Sequence, residues 1–261
     1  MSKQIFIIGS GFSSLSAACY LSKNGYKVSV FEKNKNFGGR ARQFESDGFT
    51  FDMGPSWYWM PDVFERFFND FGKKVSDLYE LKKLNPAYRV VFDKNSQFEI
   101  EDNINSIVKL FEKHEKGSGK KLESFMKEAK DNYDLAVTNM LYKMPGLSPL
   151  ELVNSKTIAK ANLFLTNIKK QIEKRFKNHK LRSILQFPVL FLGAKPSNTP
   201  AFYNFMNYAD FGLGTWQPKN GFFDVVKAMI KVAKENGVKL YNNSNIEKIE
   251  VQNGQVCGIS I

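Results

Sequence analysis

The first 32 residues change their apolar pattern twice, from a strand to a helix and back to a strand. Residues 4–8 form an apolar run that ends at a glycine, and residues 12–23 place apolar side chains at helical spacing. Residues 27–32 then alternate between polar and apolar positions. This pattern predicts a β-α-β unit, the building block of a parallel sheet.

The middle of the chain has mainly helical periodicity. Residues 49–52 alternate as in a short strand, and Gly54-Pro55 marks a turn after it. The ranges predicted to be helical beyond this turn are 61–71, 103–116, 120–141, 150–178 and 201–208. A mainly helical region is therefore inserted after the first unit.

The C-terminal part returns to a mixed pattern. Residues 221–236 predict a helix, and residues 238–241 predict a strand that rejoins the parallel sheet. Residues 246–251 and 255–261 predict two strands joined by the dipeptide Asn-Gly at 253–254, a strong hairpin signal. Because the sequence stops inside an apolar strand, we expect that the C-terminal part of the fold is absent.

A glycine-rich turn follows the first predicted strand. Its sequence is GSGFSS (residues 9–14), a variant of GxGxxG with serine in the third glycine position. Gly9 allows the tight turn, Gly11 lets a pyrophosphate approach the main chain, and the following helix directs free N–H groups at the phosphates. Glu32 ends the second strand, where a carboxylate accepts hydrogen bonds from a ribose 2′-hydroxyl and repels a 2′-phosphate. NADP is therefore disfavoured, while NAD and FAD remain open.

A second glycine motif, FGGRAR (residues 37–42), favours FAD. Paired glycines followed by arginine give further main-chain N–H groups and a guanidinium for a diphosphate. The spacing from Glu32 to Gly39-Arg40, with DMGPSW at residues 52–57, resembles flavoproteins of the amine oxidase and phytoene desaturase superfamily. The run FTFDMGPSWYWMPDVFERFF resembles bacterial phytoene dehydrogenases of carotenoid biosynthesis, and the segment starting GTWQPKNG at residue 214 resembles that family's return to its FAD domain.

The resemblance implies a fold and a domain organisation. The fold class is α/β, with a Rossmann-like FAD-binding domain at residues 1–60 and 214–261. A mainly helical domain at residues 61–213, facing substrate and membrane, interrupts it. Family members continue for roughly the same length again and carry a second glycine-rich segment, so the resemblance implies a C-terminally truncated chain.

The resemblance also implies the cofactor FAD and its site residues. Those matching the family's ADP and diphosphate contacts are Gly9, Gly11, Glu32, Gly39 and Arg40. Those expected close to the isoalloxazine ring are Met53, Gly54 and Pro55, and the main chain of Ile246 is expected at the adenine. The remaining assignments are Ser10, Phe12, Ser13 and Lys33 to the cofactor, and Trp57 and Trp216 to the substrate.

The implied chemistry needs few polar groups, because the flavin N5 accepts the hydride when a hydrocarbon is desaturated. A long apolar polyene needs an apolar tunnel, although aromatic clusters form a core more often than a pocket. The candidate lining residues are Phe187, Leu190, Phe191, Phe202, Tyr203, Phe205, Tyr208, Phe211 and Trp216. No catalytic proton acceptor is assigned, since Asp52 is either that group or a turn residue. No cluster of cysteine, histidine or carboxylate has metal-ligand spacing.

The chain carries a formal net charge of +12, which indicates an anionic partner. Basic residues are densest over 156–182, where apolar residues recur at helical spacing. Those apolar residues are Leu165, Ile168, Ile172 and Phe176. The pattern describes a basic amphipathic helix on an anionic membrane surface or, equally, the solvated face of an ordinary helix. Nucleic acid ranks below both, because no recognition motif accompanies the charge.

We expect a cytoplasmic protein that associates peripherally with a membrane. The apolar run at the N-terminus is too short for a signal peptide, and no run approaches the length of a membrane span. Cys19 and Cys257 lie far apart in apolar stretches, which suits buried, reduced thiols.

Together these features predict FAD-dependent desaturation of a carotenoid precursor such as phytoene at the membrane surface. The alternatives are a related flavoprotein, such as a carotenoid isomerase or an amine oxidase, and a catalytically silent fragment. The sequence leaves open the number and position of the double bonds, the product isomer, the electron acceptor and the oligomeric state.

Overall fold

The computed structural model describes residues 3–143, 147–148, 151 and 155–261. The chain divides into two compact units, Met1–Lys82 with Trp216–Ile261, and Lys83–Thr215. The first segment of this unit thus ends at Lys82 and not at the boundary predicted after residue 60. The reason is that the helix that starts at Pro61 packs Phe67 and Phe68 into the core of the first unit. The functional assignment of the domains stays a prediction.

The elements are numbered in chain order. The strands are β1 (Gln4–Ile8), β2 (Lys27–Phe31), β3 (Arg42–Ser46), β4 (Phe49–Met53), β5 (Leu81–Lys83), β6 (Tyr88–Asp93), β7 (Ser96–Ile100), β8 (Trp216–Pro218), β9 (Lys239–Tyr241), β10 (Lys248–Gln252) and β11 (Gln255–Ser260). The α-helices are α1 (Phe12–Lys23), α2 (Pro61–Asp70), α3 (Ile104–His114), α4 (Ser118–Tyr133), α5 (Leu141–Lys143), α6 (Ser155–Ile158), α7 (Ala161–Leu165), α8 (Ile168–Arg175), α9 (His179–Gln186), α10 (Phe205–Asn207) and α11 (Phe223–Glu235). Two π-helices, Asp134–Met140 and Tyr208–Gly212, extend α4 and α10.

The first unit is built on a parallel sheet with strand order β1-β2-β9. The predicted β-α-β unit is confirmed: β1 and β2 pair in parallel from Gln4 opposite Lys27 to Ile8 opposite Phe31. The predicted return strand is also confirmed, as β9 pairs in parallel with β2. The side chains that join helices to sheet in this core include Leu15, Ala18 and Cys19 of α1, Val28 and Val30 of β2, and Val225, Met229 and Val232 of α11.

Two antiparallel hairpins complete the first unit beside this sheet. The β10–β11 hairpin turns at Asn253 and Gly254, which both have positive φ, 50° and 76°. This is the backbone that an Asn-Gly turn favours, so the predicted hairpin is confirmed. The β3–β4 hairpin pairs Arg42 with Met53 and so places the last residue of the second glycine motif beside the end of β4.

The second unit packs helices against the β6–β7 hairpin. Its core joins residues of that hairpin, such as Ile100, to Ile107 and Phe111 of α3 and to Phe125 of α4. The predicted helices over 103–116 and 120–141 are confirmed as α3, and as α4 with its π-helical extension. The β6–β7 pair was not predicted from the sequence.

The basic segment forms several short helices, so the single helix predicted over 150–178 is wrong. The side chains of Asn167 and Asn178 accept main-chain N–H groups and begin α8 and α9 separately. Ile168, Ile172 and Phe176 are fully buried, whereas Leu165 is 88% exposed. Ile168, Ile172 and Phe176 of the apolar stripe therefore serve the core of this unit, whereas Leu165 lies on its surface. Residues 150 and 152–154 of the predicted range lie outside the described residues.

The two cysteines are both free but differ in environment. Cys19 is buried in α1 as predicted, whereas Cys257 on β11 is exposed, so the prediction of a buried thiol is wrong there. Among the described residues, no helix is both long enough and apolar enough to cross a bilayer.

Candidate functional site

The turn between β1 and α1 has the conformation that its glycines predict. Gly9 adopts a φ of +91°, and its N–H donates to the carbonyl of Phe31 at 2.7 Å. Helix α1 begins after Gly11 without a side-chain cap and has no acidic residue in its first turn. A 12-residue helix that starts this way presents its free N–H groups and its positive dipole end to an anion.

Ser10 connects three segments of the site. Its N–H and its hydroxyl both donate to Oε2 of Glu32, at 3.1 and 2.7 Å. The main-chain N–H of Gly38 donates to the carbonyl and to the hydroxyl oxygen of Ser10, at 3.0 and 3.2 Å. One buried serine thus fixes the first glycine turn, the acid at the end of β2 and the second glycine turn relative to one another.

Glu32 is buried and ionised. Burial opposes ionisation, but hydrogen bonds from Ser10 and Asn34 outweigh it and hold the pKa of this carboxyl below its usual value. A fixed negative charge at this place is the group that dinucleotide-binding proteins use for a ribose.

The second glycine turn packs directly on the first. Gly39 has a φ of +60°, and a side-chain carbon there would lie 3.0 Å from the Cα of Gly11. Gly54, at the end of β4, has a φ of +101°, and a side-chain carbon there would lie 2.3 Å from the carbonyl oxygen of Arg40. Both positions therefore require glycine, for conformation and for space.

These segments line an open cavity of about 700 Å³ within the first unit. The predicted site residues that line it are Gly9, Ser10, Gly11, Glu32, Lys33, Gly39, Arg40 and Ile246. Lining residues that were not predicted are Ile8, Phe31, Asn34, Arg42, Ser244 and Asn245. The cavity thus combines an acid with cationic side chains and a helix N-terminus.

The hydrogen bonding of the Arg42 side chain shows whether this cavity fits a dinucleotide diphosphate. Its Nε is buried without a hydrogen-bond partner among the described residues. A buried donor on a cation needs an anionic or polar acceptor, and the diphosphate of FAD supplies one. The donor set therefore fits FAD: the α1 N-terminus and the Arg40 and Arg42 side chains for the diphosphate, and Glu32 for the ribose.

Other predicted site residues lie outside this cavity. Phe12 packs against Phe64 and Phe222 in the core, and Ser13 is exposed on α1. The residues assigned to the flavin ring, Met53, Gly54 and Pro55, lie at the end of β4 and just after it and do not line the cavity, and Gly54 lies beside the carbonyl of Arg40. Of the two residues assigned to substrate, Trp57 has its ring 5.7 Å from Trp59, and Trp216 pairs its main chain with Tyr58. Their roles stay predictions.

Asp52 has a structural partner. Its carboxylate accepts the main-chain N–H of Phe222 at the start of α11 and a hydrogen bond from Gln43. A side-chain carbon on Gly221 would lie 2.4 Å from the same carboxylate. Asp52 therefore anchors the start of a helix, which fits its interpretation as a structural residue better than that as a proton acceptor.

The second unit has its own apolar cavity of about 340 Å³, lined by Ala136, Met140, Leu141, Phe164, Phe202, Tyr203 and Phe205. Three residues of the predicted aromatic cluster, Phe202, Tyr203 and Phe205, line it, whereas Phe211 is in the core and Phe191 is exposed.

One titratable group was not found from the sequence. Asp210, on a π-helix of the second unit, is buried and accepts a hydrogen bond from the hydroxyl of Tyr88 at 2.5 Å. Its Oδ1 lacks a hydrogen-bond partner among the described residues, and burial raises the pKa of Asp210 to about 7. In the part of the chain that the structure describes, no group of three or more metal-ligating side chains comes together.

The fold and the first cavity define a dinucleotide-binding protein of the Rossmann type. The chain belongs to the flavin containing amine oxidoreductase family, whose sequence profile matches residues 12–259. The predicted membership of a family of FAD-dependent oxidoreductases, with FAD as the family's cofactor, is thereby confirmed.

Several proteins similar to this chain are carotenoid desaturases. A carotenoid 3,4-desaturase of Haloarcula japonica is 38% identical over 249 residues, which cover 95% of this chain and 50% of that protein. A zeta-carotene-forming phytoene desaturase of Myxococcus xanthus is 28% identical, with 99% of this chain and 50% of that protein covered. An oxidoreductase structure from Methanosarcina mazei shares the fold with a TM-score of 0.61 at 21% identity, over 98% of this chain and 55% of that one. The chain thus spans about half the length of the curated relatives it matches.

Proposed function

We propose that this protein takes part in FAD-dependent desaturation of a carotenoid precursor such as phytoene. The observation that carries the proposal is the diphosphate and ribose cavity of the first unit, in a chain whose relatives are named as carotenoid desaturases. When bound, FAD supplies a flavin ring whose N5 accepts a hydride from the hydrocarbon.

The residues of this chain bind and orient the cofactor. Glu32 takes the ribose, while the α1 N-terminus and Arg42 balance the charge of the diphosphate. Ser10 keeps these groups in register, because its hydroxyl contacts both Glu32 and the N–H of Gly38. Since hydride transfer needs no protein nucleophile, the contribution of the protein is positioning and exclusion of water.

Expression in a bacterium that accumulates phytoene tests this proposal. We expect the 261-residue chain to convert phytoene into more unsaturated, coloured carotenoids, measured by chromatography of the extracted lipid. A second strain, which accumulates a more unsaturated carotenoid, tests whether the chain catalyses the 3,4-desaturation after which the Haloarcula japonica relative is named. Unchanged carotenoids in both strains, with intact and flavin-loaded protein, would contradict the proposal. Release of hydrogen peroxide with amines would favour an amine oxidase instead.

A membrane surface is the second part of the proposal. Ile158 is 61% exposed and Leu165 is 88% exposed, and Lys156, Lys169 and Lys170 are exposed close to them in sequence. Exposed apolar side chains among lysines suit an anionic bilayer surface, where each basic residue adds about 1 kcal/mol of binding.

Vesicle binding checks the membrane proposal. The double variant Ile158→Asp with Leu165→Asp is expected to lose most of its co-sedimentation with vesicles of phosphatidylglycerol, because two charges replace the inserted side chains. Val91→Asp is the matched control, since Val91 is 64% exposed in the same unit and is expected to have no role. Equal binding of all three proteins would exclude this surface.

A further inference from the structure

The carboxylate of Glu32 is already surrounded by donors. Its Oε2 accepts the N–H and the hydroxyl of Ser10, at 3.1 and 2.7 Å. Its Oε1 accepts the main-chain N–H and the side-chain Nδ2 of Asn34, at 3.0 and 2.5 Å. An ionised carboxylate has about four acceptor positions, so a ribose hydroxyl finds none of them free.

Only one of these four donors can leave without disturbing the fold. The hydroxyl of Ser10 is buried and also accepts the N–H of Gly38, so its departure would remove one of the two hydrogen bonds that link the glycine turns and leave a buried hydroxyl to be satisfied elsewhere. The main chain of Asn34 is held in place, because its carbonyl accepts the N–H of Asn243 and the carbonyl of Glu32 accepts the N–H of Ser244. The side chain of Asn34, by contrast, is half-buried and lines the cavity.

We propose that the side-chain amide of Asn34 is a displaceable latch on Glu32 and sets the affinity of the site for the ribose of an ADP-containing cofactor. The inference rests on the proposed function, because it assumes that the cavity holds the ADP part of FAD. In the ligand-free chain, Nδ2 satisfies Oε1 of the buried carboxylate. On binding, a ribose hydroxyl takes this position, and the amide turns towards solvent.

The latch has two opposite effects, which distinguish it from a purely structural contact. Its hydrogen bond stabilises the ligand-free chain, because it satisfies a buried charge. The same hydrogen bond competes with the ribose, because binding must first break it. Removal of the amide should therefore weaken the fold and strengthen binding, whereas the loss of a structural contact would weaken both.

The variant Asn34→Ala tests this inference, with ADP as the probe and isothermal titration calorimetry as the measurement. We expect ADP to bind about three- to tenfold more tightly to the variant, the effect of removing one competing hydrogen bond. We also expect a lower unfolding temperature without ligand. Asn36→Ala is the matched control, because Nδ2 of Asn36 donates to the carbonyl of Gln43, away from Glu32, and its affinity for ADP should equal that of the unaltered chain.

A second ligand distinguishes two causes of tighter ADP binding to Asn34→Ala: loss of the competing hydrogen bond, and a larger cavity. The analogue 2′,3′-dideoxy-ADP has no ribose hydroxyl, so it has no group to place on Oε1. Its affinity should be the same for Asn34→Ala and for the unaltered chain. An equal gain for both ligands would show that alanine only enlarges the cavity and would overturn the inference.

A measurement on the unaltered chain does not depend on the variant. The Nδ2 protons of Asn34 should exchange faster with water, measured by nuclear magnetic resonance, once ADP is added. The latch would be overturned if exchange of these protons were unchanged or slower after ADP is added. It would also be overturned if Asn34→Ala bound ADP no more tightly than the unaltered chain does. If the unaltered chain bound neither ADP nor FAD, the proposed function itself would fail, and the latch with it.

Discussion

Replacing Glu32 with glutamine is expected to destabilise the first unit and to abolish most ADP binding. The carboxylate accepts four hydrogen bonds from Ser10 and Asn34. A glutamine turns one of the two acceptor atoms into a donor that faces other donors, so we expect a loss of about 2–4 kcal/mol in the free energy of unfolding. Affinity for ADP should fall by about tenfold or more, since a charge-assisted hydrogen bond to the ribose is lost. Urea unfolding and calorimetric titration measure the two effects.

The free energy of unfolding at acidic pH gives a second test of the role of Glu32. The pKa of Glu32 is lowered in the folded chain, so its contribution to stability is present above the unfolded pKa of about 4.5. That contribution is lost as the pH falls through the lower, folded pKa, and the glutamine variant should lack this loss. Glu45→Gln, at an exposed position on β3, should behave like the unaltered chain. A glutamine variant at position 32 with unchanged stability and unchanged ADP affinity would refute the role of Glu32.

The Asp210→Asn variant is expected to be more stable than the unaltered chain at pH 8 and equally stable near pH 4. Burial raises the pKa of Asp210 from 3.8 to about 7, so the folded chain binds one more proton than the unfolded chain between these values. Stability must then fall as the pH rises from about 4 to 7. A difference of about three pH units, at 1.36 kcal/mol each, corresponds to a loss of about 4 kcal/mol, which the neutral amide avoids.

Urea unfolding at several pH values between 4 and 8 measures this effect. The difference between the two proteins isolates Asp210, because every other titrating group contributes equally to both. Asp131→Asn, an exposed position on α4 in the same unit, should follow the unaltered chain at every pH. A constant difference between the Asp210→Asn variant and the unaltered chain from pH 4 to 8 would show that the carboxyl is ionised throughout.

The β-α-β unit and its glycine turn could be predicted because their causes are local. The apolar period of β1, α1 and β2 is written in consecutive residues, and Gly9 and Gly11 are needed wherever a chain turns this tightly beside a phosphate. The position of Glu32 could be predicted from the turn as well, because the acid of this motif lies about 20 residues after it. The Asn253-Gly254 turn is equally local, because Asn-Gly is among the few residue pairs that readily adopt two successive positive φ angles.

The basic segment could not be predicted because its apolar stripe has two possible uses. The same spacing of Ile168, Ile172 and Phe176 suits a membrane surface and a protein core. In the structure these three residues pack against α3 and α4 and belong to the core. The N-caps at Asn167 and Asn178 begin separate short helices. A residue pattern shows that a face is apolar, but not what covers it.

The sequence by itself determined the β-α-β unit of the first unit, its return strand β9, the two glycine turns and the acid between them. Only the tertiary structure decided which side chains complete that unit and what they already bind. No spacing rule predicts the hydrogen bond from Asn34 to Glu32, or an Arg42 Nε that has no partner among the described residues. None predicts the contact of Tyr88 with Asp210 either, which joins residues 122 positions apart. The physical reason is that the burial of a polar group, and the partner that then satisfies it, depend on segments that meet only after the chain has folded.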